Sequence, residues 1–510
     1  MAALVLARSL PFLGPVADEG LYNSDSAIPV LMSNLAGLAP VDWLFWGQDR
    51  FGSWPFLIAR AAGGLTGHAW TPHGLHVLRT LWMTAALIPW VALAGEAGLV
   101  AGAGLLLLPG LSPLLERILV DGGTVDGWQL PALLWAWWGL RRMAVSARPQ
   151  GWLLLATVAS ILATWSSLVS APVLAALALV EGTQAGVGRG RRALLAAPVL
   201  AGTLFESGVR AAWHAAVRAR GWPDVRTLAQ LDNGHLGENL VGMAAVAWQA
   251  QAVPWIAAAL AAAIVTLGVG RARGEPPATR TVVGAAAAAL VSLAVVVAVH
   301  HVRLNAYNPR YLGLGLSFCV LGVSAVVGLA LRAVLHRWSG AFPAVAVVAV
   351  GSVLMLAPRA RPDPRQEVLL PAAQEIQARF PAAVLAASYW RTYSLAALLP
   401  PGSVTPVPRE GEWNRRPDWA ASLGSGRPVL VGRRSDAAGA PAILLERGAR
   451  LGLVEPDVLF IPPFPAESTG ELLSLYRATP ERAEVMAPRQ RRLGLIEAHP
   501  RCAFSLPSVP

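Results

Sequence analysis

The sequence contains no lysine, so all 41 of its basic residues are arginine. Charged residues of both signs make up only 14% of the 510 residues, whereas soluble domains carry about 25%. A chain this long with so few charges cannot cover a water-exposed surface, and 55% of its residues are hydrophobic. The composition therefore excludes a disordered protein, a disulfide-rich secreted domain and an ordinary cytosolic enzyme, and it indicates a membrane protein.

Cysteine is nearly absent as well. Cys319 lies in an apolar run and Cys502 lies near the end, and no Cys-x-x-Cys or Cys/His spacing suits structural zinc. We therefore predict no resident metal and no certain cofactor, and we leave open a divalent cation bound by carboxylates. The arginines stand singly or in pairs between apolar runs, without interleaved aromatic residues, which argues against nucleic-acid binding.

Long apolar runs are abundant. Because a bilayer crossing requires about 20 mostly apolar residues, we predict a mainly α polytopic protein with about 10 to 12 transmembrane helices in the plasma (inner) membrane. The run 151–180 is long enough for two short crossings with a break at Trp165-Ser166-Ser167. The clear runs are 75–95, 97–115, 151–180, 192–209, 244–270, 281–300, 312–331 and 341–358, and the weaker ones are 2–17, 53–66 and 129–140.

Arginine clusters between these runs predict the orientation, since cytoplasmic loops carry the excess of positive charge. The clusters lie in 141–148, 189–192, 271–280 and 332–337. The alternate loops, which we expect outside the cytoplasm, are 18–52, 118–128, 210–243 and 301–311.

The composition changes near the end of the last apolar run, which divides the chain into a polytopic region 1–358 and a tail 359–510. Strand-like and helix-like stretches alternate in the tail, which predicts a C-terminal α/β domain outside the cytoplasm. The strand-like runs are 383–387, 428–432, 443–446, 458–461 and 493–497, and the helix-like runs are 371–380 and 471–477.

The first outer loop, 18–52, carries the most informative pattern. Apolar residues at 27, 28, 31, 32 and 35 follow helical spacing, and Ser24 or Asp25 precedes them in the position of an N-cap. We predict a short amphipathic helix on the outer membrane face. On spacing alone, capping explains Asp25 better than catalysis does, because acids are common at helix N-caps.

Two short motifs in this loop resemble the first outer loop of bacterial C-type glycosyltransferases, polytopic enzymes related to protein O-mannosyltransferases and lipid A aminoarabinose transferases. The motifs are Ser24-Asp25-Ser26-Ala27-Ile28 with Leu31-Met32, and Gly47-Gln48 with Gly52-Ser53. The resemblance implies a polyprenyl-phosphate sugar donor and assigns Asp25 as the catalytic carboxylate. The family often has an Asp-Glu pair there, but Ser26 follows Asp25. Asp18 and Glu19 are therefore secondary candidates, as is Gln48.

The second outer segment contains Asp121-Gly122-Gly123 and then Asp126 before an apolar run. Members of the same family are similar here, and Asp126 takes the place of their acid. Two carboxylates from separate outer loops can share the work of accepting a proton and positioning a hydroxyl or a cation. The alternative is that glycine and aspartate only form a turn. Asp121 is a secondary candidate.

The third outer segment ends with Asn308-Pro309-Arg310-Tyr311. The planar guanidinium fork of arginine binds phosphate oxygens bidentately, and in the family a late outer Pro-Arg-Tyr implies a contact to the donor phosphate. We choose Arg310 first, then Arg303, with Tyr311 beside them. Arginine at a membrane boundary also extends toward lipid headgroups without any further role.

Together with the resemblance, these observations predict a glycosyltransferase that moves a hexose or pentose from a polyprenyl-phosphate donor to a lipid, glycan or protein acceptor of the cell envelope. The resemblance implies that the configuration of the sugar inverts. One alternative is a lipid or polysaccharide transporter, for which ionisable residues are expected in mid-membrane. The apolar runs are nearly free of acids apart from Glu206. A non-catalytic membrane scaffold is the other alternative, which the absence of a second acid after Asp25 keeps open.

Overall fold

The computed structural model confirms a mainly helical chain. It describes residues 24–46, 51–95, 98, 100–102, 125–184, 187–222, 231–273, 277–304 and 307–335, and in the tail 373–374, 376–378, 380–386, 389–407, 416, 418–419, 422, 427, 429–432 and 458–461. The predicted runs 2–17, 341–358, 443–446, 471–477 and 493–497, most of 97–115, and the boundary at 358/359 lie outside these residues.

The helices of the polytopic region follow the predicted apolar runs closely. They are α1 (Ser24–Leu35), α2 (Trp54–Thr66), α3 (Pro72–Ala85), α4 (Leu87–Ala94), α5 (Asp126–Val145), α6 (Gln150–Ser166), α7 (Ser170–Gly182), α8 (Arg189–Ala219), α9 (Leu236–Gln249), α10 (Val253–Arg273), α11 (Pro277–Ala298), α12 (His300–Leu304) and α13 (Gly313–Leu335). Short 3₁₀ turns occupy Pro40–Asp42, Asn233–His235 and Pro309–Leu312.

Four helical stretches of the described chain are long and apolar enough to cross a membrane: Gly74–Ala94, Arg189–Ala219, Thr279–Ala298 and Pro309–Ala330. A fifth is counted if the bent pair α9 and α10 forms one span, and α6 and α7 are shorter apolar helices. The polytopic helical class is thus confirmed, whereas the total of 10 to 12 crossings stays a prediction.

Two of the predicted runs are broken. The run 151–180 divides after Ser166, as predicted, into α6 and α7. The run 244–270 was predicted as one crossing, and it bends by 101° between α9 and α10. Gln251 has a positive φ of 55° at this point, a conformation that no helix continues, and Pro254 follows in the first turn of α10.

Helix α5 lies at the centre of the bundle. It packs against α3, α4, α6 and α7, and α7 packs in turn on α11 and α11 on α13. Close approach to α6 depends on Gly139, where a Cβ would lie 2.9 Å from the Ala156 Cβ. Small residues let helix backbones approach in membranes, where packing replaces the hydrophobic effect.

A buried ion pair ties four of these helices together. Arg141 of α5 donates to Glu181 Oε1 of α7 at 2.7 Å, and Trp137 Nε1 donates to the same oxygen at 2.7 Å. Arg141 also donates to the carbonyl of Leu93 and to Thr281. Arg141 was predicted to lie in a loop between apolar runs, which is wrong: it lies inside α5 and is buried, because Glu181 neutralises it.

Segments that were predicted to lie on the same side of the membrane contact each other in the fold. Arg191 donates to the Ala144 carbonyl, so the first two arginine clusters meet. Among the outer segments, Trp213 Nε1 donates to the Val41 carbonyl and Arg303 pairs with Asp232. The grouping agrees with alternating loops, although α8 continues to Ala219 instead of ending before the predicted loop 210–243.

Helix α1 is buried within the protein, so the expected amphipathic surface helix is wrong. Residues 27–34 are all buried, including Ser33 and Asn34. Its neighbours are α2, α3 and a tail helix, α14 (Tyr389–Ala397). The face that periodicity assigns to solvent is covered because the tail packs over it. The first loop and the tail share one hydrophobic core that includes Ile28, Met32, Ile376 and Tyr393.

The tail contains a small mixed sheet, with β1 (Val384–Ala386), β2 (Thr405–Pro406), β3 (Val429–Gly432) and β4 (Val458–Ile461) in the order β2-β1-β3-β4. β1 pairs in parallel with β2 and β3, and β3 pairs antiparallel with β4. Three of the predicted strands are therefore present, while β2 and α14 were not anticipated. Helix and strand occur together, as expected for an α/β tail.

Candidate functional site

Asp126 begins helix α5 and is half-buried. Burial raises the pKa of its carboxyl to about 6, while the charges of Arg79 and Arg310 act in the opposite direction. The carboxyl group therefore lies within electrostatic range of two arginines, one from α3 and one from the Pro309–Leu312 turn. Asp126 and Arg310 are 184 positions apart in the printed sequence, so the fold rather than the local sequence brings their charges within range of each other.

Arg79 was not anticipated as a site residue. Its side chain is almost fully buried, and the guanidinium lies directly on the backbone of Gly127. Glycine permits this approach, because any side chain at position 127 would occupy the same space. In the sequence, the only indication of this contact is the glycine that directly follows the candidate carboxylate, since glycine leaves room for a large side chain from another element. Its partner could not be identified from local sequence.

A group of aromatic rings gathers at the start of α5. Trp128, two residues after Asp126, contacts Trp54 and Phe56 edge-to-face with ring centroids 6.1 and 6.4 Å apart. Trp82 donates from Nε1 to the Trp128 carbonyl at 3.0 Å. Trp54 follows the Gly52-Ser53 motif directly and donates to Ser166 at 2.8 Å. Rigid rings therefore connect the motif of the first loop to the start of α5.

Arg310 lies in the short turn that precedes α13. The side chain of Asn308 accepts from the Arg310 backbone N–H at 3.1 Å, which caps this turn. The guanidinium lies over the Tyr311 ring at 5.3 Å, and Nη2 is 3.4 Å from the Tyr311 hydroxyl. Both side chains are half-buried. Arg310 and Tyr311 thus contact each other, and the charge of Arg310 acts on Asp126. Their contact to a donor phosphate stays a prediction.

Arg303, the second candidate for the phosphate, lies elsewhere in the outer loops. Its Nε donates to Asp232 Oδ2 at 2.7 Å, and His235 and His300 also face this carboxylate, at 2.7 and 3.4 Å. Burial raises the pKa of Asp232, but hydrogen bonds from His235, Arg303, Asn239 and His300 lower it by more. The resulting pKa is about 2, below the ordinary value of 3.8. These bonds tie the segment before α9 to the segment that leads to Arg310.

The other candidates are only partly described. Asp25 lies in the first turn of α1, within one residue of the expected helix start, but the described side chains begin at Ala27. Asp18, Glu19, Gln48 and Asp121 lie outside the described residues. Their roles stay predictions. Within the described part of the chain, no group of three or more His, Cys, Asp or Glu side chains is arranged to hold a metal ion.

A further buried carboxylate, Asp42, was also missed. It accepts hydrogen bonds from Trp46 Nε1 at 2.7 Å, from the Gly37 backbone N–H at 2.8 Å and from Arg416 Nη1 at 2.9 Å. The carboxylate therefore organises the turn between α1 and α2. Its partner Arg416 belongs to the tail, so nothing in the local pattern indicated the pair.

The arrangement of helices defines a class of fold, that of the polytopic C-type glycosyltransferases. The crystal structure of ArnT from Cupriavidus metallidurans bound to undecaprenyl phosphate superposes with a TM-score of 0.51 at 14% identity, over 90% of this chain and 97% of that one. The oligosaccharyltransferase of Archaeoglobus fulgidus, crystallised with zinc and sulfate, has a TM-score of 0.47 at 10% identity, over 84% and 68%. No protein-family model and no curated protein matches the chain.

Proposed function

We propose that this protein is an integral-membrane glycosyltransferase that takes a sugar from a polyprenyl-phosphate donor and transfers it to an envelope acceptor at the outer face of the plasma membrane. One observation carries the proposal: Asp126, a half-buried carboxylate at the start of a central helix, precedes the glycine on which the Arg79 guanidinium lies, and the charges of Arg79 and Arg310 both act on it. The likeness in fold to ArnT, whose crystal contained undecaprenyl phosphate, supports a lipid phosphate as the ligand of these arginines.

In the proposed reaction, the acceptor hydroxyl attacks the anomeric carbon of the donor sugar. The new C–O bond forms as the bond from that carbon to the phosphate oxygen breaks, so the configuration inverts and the phosphate leaves with the electron pair. Asp25 takes the hydroxyl proton, and Asp126 orients the hydroxyl or a divalent cation. Arg310 and Tyr311 contact the leaving phosphate, where fixed donors stabilise the charge that develops.

The positions of the acidic residues and of their arginine partners disfavour the transporter alternative. In the described spans, Glu206 is buried but forms an ion pair with Arg210 one turn away, and Glu181 is neutralised by Arg141. Both acids thus have a local partner that accounts for their burial. The acid with a raised pKa is instead Asp126, which lies at the start of a helix beside the predicted outer loops. This position favours chemistry at the membrane surface.

The test uses wild-type and variant proteins in native membranes, supplied with a panel of undecaprenyl-phosphate hexoses and pentoses. Released undecaprenyl phosphate is measured. Asp25→Asn keeps the size and the capping ability of the side chain, so a capping role predicts no change, whereas loss of a proton acceptor predicts a fall of roughly two to four orders of magnitude. Asp18→Asn and Glu19→Gln are controls in the same loop. If either is inactive while Asp25→Asn is active, the catalytic acid belongs to the Asp18-Glu19 pair, and the motif was assigned to the wrong position of the loop.

A second pair of variants tests the phosphate contact. Arg310→Lys keeps the charge but loses the bidentate fork, so most activity should disappear while the protein still inserts. Arg60→Lys, on the exposed side of α2, is the matched control and should be fully active. Full activity of Arg310→Ala would contradict this assignment and make Arg303 the candidate for the phosphate contact. If all carboxylate and arginine variants match the wild type, the scaffold alternative replaces the enzyme.

A further inference from the structure

Arg416 of the tail lies where three outer segments meet. Its Nη1 donates to Asp42 Oδ1 at 2.9 Å, across 374 positions of the chain. Its Nη2 pairs with Asp418 Oδ2, also at 2.9 Å, inside the tail. The Asp418 side chain is 41% exposed, whereas that of Asp42 is 5% exposed. The bond to Asp42 is therefore the buried link between tail and first loop.

Three indole rings surround the same guanidinium. The Arg416 Cζ lies 5.0 Å from the ring centroid of Trp46, 5.5 Å from that of Trp419 and 5.6 Å from that of Trp222. Trp46 belongs to the first loop, Trp419 to the tail and Trp222 to the segment that follows α8. Cation–π contacts of this kind gain strength when water is excluded, so one side chain holds three separate segments.

The guanidinium remains charged in this environment. Burial lowers the pKa of Arg416, but the hydrogen bond and charge of Asp418 and the charge of Asp42 raise it by more. Asp42 in turn holds the loop by accepting from Gly37 and Trp46. A buried carboxylate that loses its cation is costly, so the conformation of the turn depends on Arg416.

The first loop is connected to the start of α5 by rings in edge-to-face contact. Phe45, next to Trp46, contacts Phe56 with centroids 6.3 Å apart, and Phe56 contacts Trp128 at 6.4 Å. Trp128 follows Asp126 in the first turn of α5. Helix α1, which carries Asp25, lies in the same core as Phe45 and Phe56 and packs beneath α14 of the tail.

We propose that Arg416 is a positioning residue, whose bond to Asp42 holds the first outer loop, and with it Asp25, against the end of the bundle where Asp126 and Arg310 lie. This inference rests on the proposed function. The donor phosphate is contacted by Arg310, which belongs to a different element from the first loop. Loss of Arg416 should therefore impair turnover and leave donor binding intact.

The experiment uses the full-length protein in nanodiscs. Arg416→Gln should lower kcat roughly 10- to 100-fold, the usual effect of a small misplacement of reacting groups. The donor KM and the Kd for undecaprenyl phosphate should not change. Arg416→Lys, which keeps the charge, should recover part of kcat. Asp418→Asn is the matched control, because it removes the exposed partner of the same arginine and leaves the bond to Asp42, and its kcat should equal that of the wild type.

Coupling between the two residues is tested by the double variant Asp42→Asn/Arg416→Gln. Its kcat should be no lower than that of the worse single variant, because two residues in one contact are not additive. Limited proteolysis gives a readout that needs no substrate: the tail should be cut faster in Arg416→Gln than in the wild type or in Asp418→Asn.

An unchanged kcat in folded Arg416→Gln overturns the positioning role, and so does a weaker Kd for undecaprenyl phosphate that parallels the fall in kcat. If Arg416→Gln does not fold, Arg416→Lys decides by the same two measurements. These results differ from a failure of the proposed function, in which the wild type neither binds undecaprenyl phosphate nor releases it from any donor.

Discussion

The guanidinium of Arg79 lies in the space that a side chain at Gly127 would occupy. A Cβ at position 127 would stand 2.6 Å from Arg79 Cζ and would overlap the nitrogen atoms beside it. The contact brings α3 and α5 together next to Asp126, and it is possible only because residue 127 has no side chain. The group that would have to move is the far end of a long side chain, so a substitution should disturb the site more than the fold.

We therefore expect Gly127→Ala to displace Arg79 and to weaken binding of undecaprenyl phosphate by at least about tenfold, the equivalent of roughly 1.4 kcal/mol. The thermal midpoint should change little, because alanine favours a helix while overpacking opposes it. Calorimetric titration of the purified protein measures the affinity. Gly151→Ala in α6, where a Cβ would meet no atom within 4 Å, is the control. Equal affinity in both variants would exclude Arg79 from the site.

The raised pKa of Asp126 makes a prediction about stability and pH. Its native pKa, about 6, is above the ordinary value of 3.8. The native state therefore holds the proton more tightly, so the contribution of this group to stability is present below pH 3.8 and is lost as pH rises through about 6. Asp126→Asn should unfold at a higher temperature than the wild type at pH 7, and the difference should shrink toward pH 4.

Asp126 should also determine the pH dependence of activity, if its ionised form orients the acceptor. The kcat/KM of the wild type should then fall as pH decreases below about 6. Asp126→Asn should have little activity and should lose this inflection. A wild-type profile that is flat between pH 5 and 7 would contradict the assignment, whatever the stability of the variant.

Asp232 should have the opposite effect on stability. Its native pKa of about 2 is below 3.8, so its contribution is present above pH 3.8 and is lost as pH falls toward 2. Asp232→Asn should be less stable than the wild type at neutral pH, with the two thermal midpoints converging as the pH is lowered from 4. Glu238→Gln, an exposed neighbour in α9, is the control. A difference that stays constant with pH would argue against the bonds to His235 and Arg303.

Topology gives the last prediction. Helix α14 packs on α1, so the described tail and the first loop lie on the same side of the membrane. The arginine clusters of the alternate loops predict that this side is the outside. A reporter fused after Arg365 should therefore be active only if its activity requires export. Activity at that position of a reporter that works only in the cytoplasm would show that the orientation is the reverse of the predicted one. The proposed site would then not lie at the outer face.

Local sequence was sufficient for several features. The scarcity of charge predicted a polytopic helical chain, the polar break at Trp165-Ser166-Ser167 predicted the division between α6 and α7, and alternating patterns located β1, β3 and β4. Asp126 and Arg310 were chosen from short local motifs, and the charge of Arg310 does act on the Asp126 carboxyl. Each of these properties depends on residues that are neighbours along the chain, or on the preference of long apolar runs for lipid.

Other features depend on which elements pack together, and no local pattern encodes that. Periodicity assigned one face of α1 to the surface, but α14 covers it. Arg141 was assigned to a loop, but Glu181 of another helix allows it to be buried. The pairs Arg79–Gly127 and Asp42–Arg416 join segments far apart in sequence. A buried charge is stable only where the fold supplies a partner, so the positions of these side chains follow from long-range packing and could not be predicted from their neighbours in the chain.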